Sequence, residues 1–246
     1  MNDLQDEFDE LNRLADDYDD GPFDKLMRGY MMRTLKPHLR SGKALEMGCF
    51  NGEFSVCLAE EFAELTVVDA VDEFLDNVRR RLGTRARTVC SLFEEFDTSD
   101  RFDSIFIVHV LEHLLDPVAI LNKAKSLLAP GGRLFLIVPN GAAASRRIAA
   151  KMGILPTLSA LSAADIKHGH RRIYFLDTLV DNAREAGLNI IDSGGIFFKP
   201  LANFQFDALA GGELINEQFM EGCYLLGKEE PAMCASIYVV CEDQTC

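Results

Sequence analysis

The chain has no apolar run of the length a bilayer demands. Its best stretches, 105–111 and 134–138, fall far short of the roughly 18–20 residues a spanning helix needs. It has no basic segment followed by an apolar one at its start, so no signal peptide is expected. It has no CxxC pair: seven cysteines, an odd number, stand scattered along the chain. That excludes a disulfide framework or a zinc ribbon and suits reduced thiols in a cytoplasm. Positive charge is also in short supply, with 25 Lys+Arg against 39 Asp+Glu and a net charge of −14. Such a chain repels a phosphate polymer, so nucleic acid is a disfavoured partner, and with no spanning run no membrane partner is expected.

What is present is an ordinary globular composition, 48% apolar and 26% charged, with enough apolar material for a large core. The acidity is uneven. Residues 1–20 hold nine acids against one base, Arg13, and so carry −8 of the −14. Leu4, Phe8, Leu11 and Leu14 give that segment a helical spacing. The pattern predicts a second helix over 22–39. A regular alternation follows: strands at 43–47, 65–68, 87–90, 102–108 and 133–138, with helices at 53–61, 72–82 and 117–128. Pro130-Gly131-Gly132 reads as the stop of the last of these helices. Further on come helices at 142–154 and 176–186, strands at 189–196 and 236–241, and an irregular stretch over 199–230. Strands alternating with helices at this spacing imply βαβ units and a parallel sheet whose C-terminal strand ends form the ligand edge.

Two signals lie on that edge. Gly48-Cys49-Phe50-Asn51-Gly52 follows the first strand, where glycines let the backbone turn tightly beside a ligand. A dinucleotide site would want G-x-G-x-x-G. Phe50 stands at its middle glycine, which argues against a nicotinamide-dependent oxidoreductase. Asp69 ends the second strand, where a carboxylate can accept both hydroxyls of a ribose.

Taken in order, Glu46-x-Gly48-x-x-x-Gly52, Asp69, Phe102-Asp103-x-Ile105, His109-Val110-Leu111-Glu112-His113 and Leu128-x-Pro130-Gly131-Gly132 resemble class I S-adenosylmethionine-dependent methyltransferases. The nearest flavour is the small-molecule group that includes the ubiquinone-biosynthesis O-methyltransferases. The resemblance covers 43–140 firmly and 173–241 by topology. It implies an α/β fold: a Rossmann-like, seven-stranded, mainly parallel sheet with helices on both faces. Residues 1–40 would be an acidic helical extension capping the cofactor, with Tyr18, Phe23 and Tyr30 over the pocket. Residues 41–246 would be the methyltransferase domain, with substrate-covering insertions at about 141–172 and 197–232. The cofactor would be S-adenosyl-L-methionine, leaving as S-adenosyl-L-homocysteine. Glu46 and Gly48, Cys49, Phe50 and Gly52 would lie under its methionine part, and Asp69 would hold its ribose. Ala70, Val71, Ser91, Leu92 and Phe93 would surround its adenine, and His109 would sit by the sulfonium. The family often has glycine where Phe50 stands, so this turn must accept a side chain.

An oxygen nucleophile must lose a proton, and His109, His113 and His170 are the candidate bases. His109-x-x-Glu112-His113 also matches an inverted zinc-peptidase pattern. That pattern needs a helix, and His109 follows a strand directly, so no metal is expected. Lys167-His168-Gly169-His170-Arg171-Arg172 puts five cationic or titratable side chains in six positions. On an acidic protein this asks for an anionic partner. The candidate acceptor residues are Asn140, His168, His170, Arg171, Arg172 and Tyr174, with Phe197, Phe198, Phe204 and Phe206 as a candidate apolar wall. The expected activity is methyl transfer to a polar or anionic small molecule at oxygen, with N-methylation of an amino sugar or similar metabolite as the alternative. A non-catalytic S-adenosylmethionine-binding assembly subunit is the rival of another class, and the chain leaves a homodimer open. The motifs that mark adenine-N6 or cytosine-C5 methylation of nucleic acid are missing.

Overall fold

The structure, a computed structural model, describes residues 21–209, 212–213 and 215–244. The acidic segment 1–20, Tyr18 included, lies outside the described residues. Seven strands form one sheet in the order β3-β2-β1-β4-β5-β7-β6. They are β1 (Lys43–Met47), β2 (Glu64–Asp69), β3 (Ala86–Cys90), β4 (Phe102–Val108), β5 (Leu128–Pro139), β6 (Leu188–Phe198) and β7 (Cys234–Asp243). β1 to β5 pair in parallel, while β7 runs antiparallel to both β5 and β6. The strand order reverses between β1 and β4, and a ligand crevice opens at such a switch point.

The helices are α1 (Pro22–Leu35), α2 (Glu53–Glu61), α3 (Asp72–Leu82), α4 (Pro117–Ser126), α5 (Ala144–Lys151), α6 (Ala163–Lys167), α7 (Leu176–Glu185), α8 (Asn203–Leu209) and α9 (Glu217–Glu229). Apolar residues at helical spacing place each on a face. Met27, Met31 and Leu35 of α1, Phe54 and Leu58 of α2, and Leu75 and Val78 of α3 pack on one side with Phe106 and Phe135. Ile120 and Leu121 of α4 and Leu179 and Ala183 of α7 cover the other. The buried sheet interior reads as near-continuous apolar runs, as parallel sheets require.

Three expectations are corrected. α4 stops at Ser126, and Leu128 already pairs with Phe102. Pro130-Gly131-Gly132 is therefore a bulge inside β5 rather than a helix stop. Gly131 has φ +74°, and a Cβ on Gly132 would stand 2.8 Å from the Phe102 carbonyl oxygen. The 22–39 helix ends at Leu35, and Lys36–His38 tightens into a 3-10 turn around Pro37. The irregular stretch 199–230 contains α8 and α9, with Met220, Cys223 and Tyr224 buried.

β6 crosses the Pro231 turn at Gly195. An added Cβ there would overlap the Pro231 carbonyl oxygen and come within 2.7 Å of Cys234 Sγ. Gly195→Ala should cost about 3 kcal/mol by overpacking. Gly29→Ala on α1, with open space around it, should gain about 0.5–1 kcal/mol. Urea unfolding of both variants checks the pair, and equal midpoints would refute the contact.

Candidate active site

The mouth of β1 has the geometry its glycines suggest. Gly48 and Gly52 have φ of +88° and +79°, and Phe50 between them has φ +45°. A phenylalanine has thus taken a conformation that favours glycine, and its ring packs edge-on against Phe74 at 5.1 Å. A Cβ on Gly48 would overlap Val110 Cγ2 and lie 3.6 Å from Phe93 Cζ. The β3 and β4 loops therefore close directly on the turn. His109 also has positive φ, +54°. Left-handed non-glycine residues gather where function over-determines the backbone.

Asp69 is buried and buckles two turns together. One oxygen accepts from Cys49 N at 2.8 Å and the other from Val71 N at 3.0 Å. Burial raises its pKa, against those bonds. Ala70, Val71 and Leu92 are buried beside it, and Ser91 N donates to the Asp69 carbonyl at 3.0 Å. Glu46, 1% exposed, accepts from Ser55 Oγ at 2.5 Å. Burial pushes Glu46 up to about 8.

The histidines divide. His109 Nδ1 lies 3.5 Å from Arg28 Nη1, and its Nε2 lies 3.0 Å from Ser236 Oγ. Guanidinium only donates, so Nδ1 accepts and Nε2–H donates to the serine. Burial, with Arg28 adding to it, holds His109 well below its usual pKa. It is a neutral, fixed imidazole, which argues against its role as a base. His113 is pushed down to about 3, first by burial and then by His170, and it donates to the Gly169 carbonyl. His170 is differently placed. Its Nδ1 lies 3.4 Å from Asp165 Oδ1, and its ring stands edge-on to His113 at 4.8 Å. Asp165 is itself fixed by Arg146 Nη1 at 3.0 Å and Ser162 N at 2.7 Å. Glu112, 2% exposed, has both carboxylate oxygens without a hydrogen bond. Its burial raises it to about 7. Ligand-type atoms of Glu112, His113 and His170 lie within 4.8 Å of one another.

Several expected acceptor residues have their polar groups committed elsewhere. Asn140 Nδ2 donates to the Ala232 and Cys234 carbonyls, and its Oδ1 accepts from Ala142 N. The Tyr174 hydroxyl donates to Asn182 at 2.9 Å. Arg171 Nε donates to the His113 carbonyl, and Arg172 to those of Leu111 and Leu115. These bonds tie both arginines to the 111–115 turn. His168 stands 6.3 Å from His170, its pKa lowered by burial. Phe197 and Phe206 are buried against Phe23, while Phe204 is 73% exposed. Phe23, Tyr30 and Phe206 line an apolar groove of about 340 Å³, on the side of α1 opposite Arg28 by helical geometry.

Sequence reasoning missed Arg28, Asp24, Arg146, Asp165, Lys199 and Asn203. Arg28 had one signal, a cation among the apolar positions of α1. It lies near enough to lower the pKa of both Glu46 and Glu112. The others come from α1, α5, α6, the segment after β6 and α8, and are joined as Arg146–Asp165 and Lys199–Asn203–Asp24.

The glycine turn, the Asp69 buckle and the sheet order place a nucleotide-type ligand edge at the mouths of β1 and β2, and comparison with known proteins says which family this is. Residues 21–193 match the methyltransferase domain family, and the chain belongs to it. It is a class I S-adenosylmethionine-dependent methyltransferase. It is 36% identical over 135 residues to nodulation protein S of Rhizobium tropici, covering 50% of this chain and 56% of that protein. The match therefore spans little more than half of that relative. It is 29% identical over 172 residues to the ubiquinone biosynthesis O-methyltransferase of Xylella fastidiosa (strain M23), covering 67% and 68%. The crystal structure of N-methyltransferase NodS from Bradyrhizobium japonicum WM9 with S-adenosyl-L-homocysteine superposes with a TM-score of 0.57 at 18% identity, over 92% of this chain and 90% of that one. Among the described residues no helix is long and apolar enough to cross a membrane.

Proposed function

We propose that this chain methylates an anionic small molecule at a hydroxyl oxygen. The cofactor supplies a methyl group already made electrophilic by a sulfonium, so the protein's work is positioning and proton removal. The donor set fits a zwitterionic nucleoside. Glu46 faces the ammonium end and the Arg28 fork suits the carboxylate. Asp69 offers its remaining lone pairs to the ribose, and Ala70, Val71, Leu92 and Phe93 form the adenine slot, with Ser91 at its edge. Residues 1–40 act as the cap through α1. The 141–172 and 197–232 insertions supply the acceptor side.

The observation that carries the oxygen reading is the Asp165–His170 pair. A carboxylate on Nδ1 leaves Nε2 as the ring's nitrogen for the acceptor proton, and stabilises the imidazolium that results. N-methylation is the second reading, favoured by the 36% identity to nodulation protein S. Incubation with methyl-deuterated S-adenosylmethionine and matched hydroxy and amino acids tests the two. Label on oxygen is the expected result, and label on nitrogen alone would reverse the assignment.

A proton should also move on cofactor binding. With a pKa of about 8, Glu46 is protonated in the free protein at pH 7. Opposite an ammonium it ionises, so binding of S-adenosylhomocysteine releases a proton to the buffer. Calorimetry at pH 7 should then read more exothermic in Tris than in phosphate. Glu46→Gln should remove the difference; an unchanged difference would assign the proton elsewhere.

A further inference from the structure

The sequence asked for a cation facing the acceptor, and the two arginines nominated for that role are turned onto backbone carbonyls. Lys199 stands in their place. It directly follows β6, after Phe197 with φ +66°, and its carbonyl accepts from Ser145 N at 2.9 Å. That bond ties the segment to α5. The ammonium donates to Asn203 Oδ1 at 2.6 Å. Asn203 Nδ2 donates in turn to Asp24 Oδ1 at 2.8 Å, which fixes the amide with its oxygen toward the lysine. The Phe23 ring centroid lies 5.7 Å from the ammonium.

The ammonium has three donors, and a neutral amide oxygen takes one. Asp24, Arg146 and Asp165 act on it over longer range. Among the described residues no carboxylate comes within the 4.0 Å of an ion pair, and Asp165 is held by Arg146 and His170. A half-buried ammonium without an ion pair is costly. Burial accordingly pushes Lys199 down to about 8. Asp24 lies one helical turn before Arg28 on α1, and Arg28 Nη1 is 3.5 Å from His109 Nδ1, so the Lys199–Asn203–Asp24 chain stands beside the end of β4.

The geometry points to Lys199, set by Asn203 and Asp24, as the group that receives a carboxylate or phosphate of the acceptor. This rests on the methyl-transfer reading and extends it, because it assigns the acceptor's charge to one residue and its reacting hydroxyl to another. Lysine is a point charge on a flexible stem and accepts either oxyanion, whereas the arginine fork would favour a planar one.

The test uses the full chain saturated with S-adenosylhomocysteine. It is titrated with benzoate, phenyl phosphate and, as the neutral isostere, benzamide. At least one anion should bind and benzamide should not. Which anion binds tells carboxylate from phosphate. Lys199→Met should weaken that anion about 30-fold or more, with S-adenosylhomocysteine affinity and melting temperature unchanged. Lys199→Arg should recover most of the binding. Equal binding of benzoate and benzamide, no binding of either anion, or an unaffected Lys199→Met would overturn the role of the lysine alone. Failure of the wild-type chain to bind S-adenosylhomocysteine would instead overturn the methyl-transfer reading, and this one with it.

Discussion

Asp69→Ala is expected to raise the dissociation constant for S-adenosylhomocysteine by about 100-fold or more and to cost about 3 kcal/mol of stability. The two effects share one cause. The carboxylate accepts from Cys49 N and Val71 N, joining the turn after β1 to the turn after β2. Truncation leaves both N–H groups buried and unsatisfied, each worth about 1–3 kcal/mol. The β1 turn carries Phe50 in a left-handed conformation, so it has little reserve against relaxing. Losing the buckle should therefore disorder the cofactor bed as well as remove a ribose partner. Asp69→Asn separates these. It keeps one acceptor oxygen but faces an NH2 toward a backbone donor, so an intermediate loss is expected on both readouts. Calorimetry and urea unfolding check them together. Binding within a few-fold of wild type in Asp69→Ala would refute the assignment of this site to the cofactor.

Much of the fold was legible where punctuation and periodicity agree. β1, α2 and α3 fall on their expected limits because glycine bounds them at one end or both, and β4 because its apolar run stands between polar residues. Pro130-Gly131-Gly132 misled because a helix stop and a bulge need the same residues; only the pairing of Leu128 with Phe102 tells them apart. α6 has five residues, too few to show a helical period, and its capping box Ser162/Asp165 was the readable sign. α9 was hidden by Gly222 and Gly227, which break its apolar stripe. Within the site, the glycine turn and Asp69 were visible because they sit at strand ends, where topology fixes position. The acceptor side was not. Arg171 and Arg172 look like an anion grip in sequence, yet each also donates to backbone carbonyls, at His113 and at Leu111 and Leu115. Lys199 and Asn203 look like loop residues, and only the tertiary meeting of α1, α8 and β6 gives them a role.

His170→Ala should lower kcat by about 100-fold or more when the acceptor is a hydroxyl, with S-adenosylhomocysteine affinity unchanged. The groups facing His170 are Asp165 on α6, Glu112 and His113 after β4, His168 on its own segment and, further off, His109. Among these, Asp165 sets the ring. Burial works against its charge, yet bonds from His170, Ser162 and Arg146 hold its carboxyl well below the usual carboxylate range. It therefore stays ionised throughout the working pH range. Asp165→Asn removes the charge that favours the imidazolium while keeping the side-chain size. With a hydroxyl acceptor kcat should fall by about tenfold or more, and adding Asp165→Asn to His170→Ala should cost nothing further. A merely structural aspartate would change stability and lower kcat equally with or without the His170 ring. The acceptor atom decides how far this reaches. A hydroxyl keeps its proton across the assay range, so the loss in His170→Ala should persist at every pH. An amine assayed above its own pKa already presents a free lone pair, and for it the same variant should lose little. If His170→Ala has no effect on hydroxyl acceptors at pH 7, Glu112 becomes the remaining candidate, as a buried carboxyl with a pKa near 7 and without a hydrogen-bond partner.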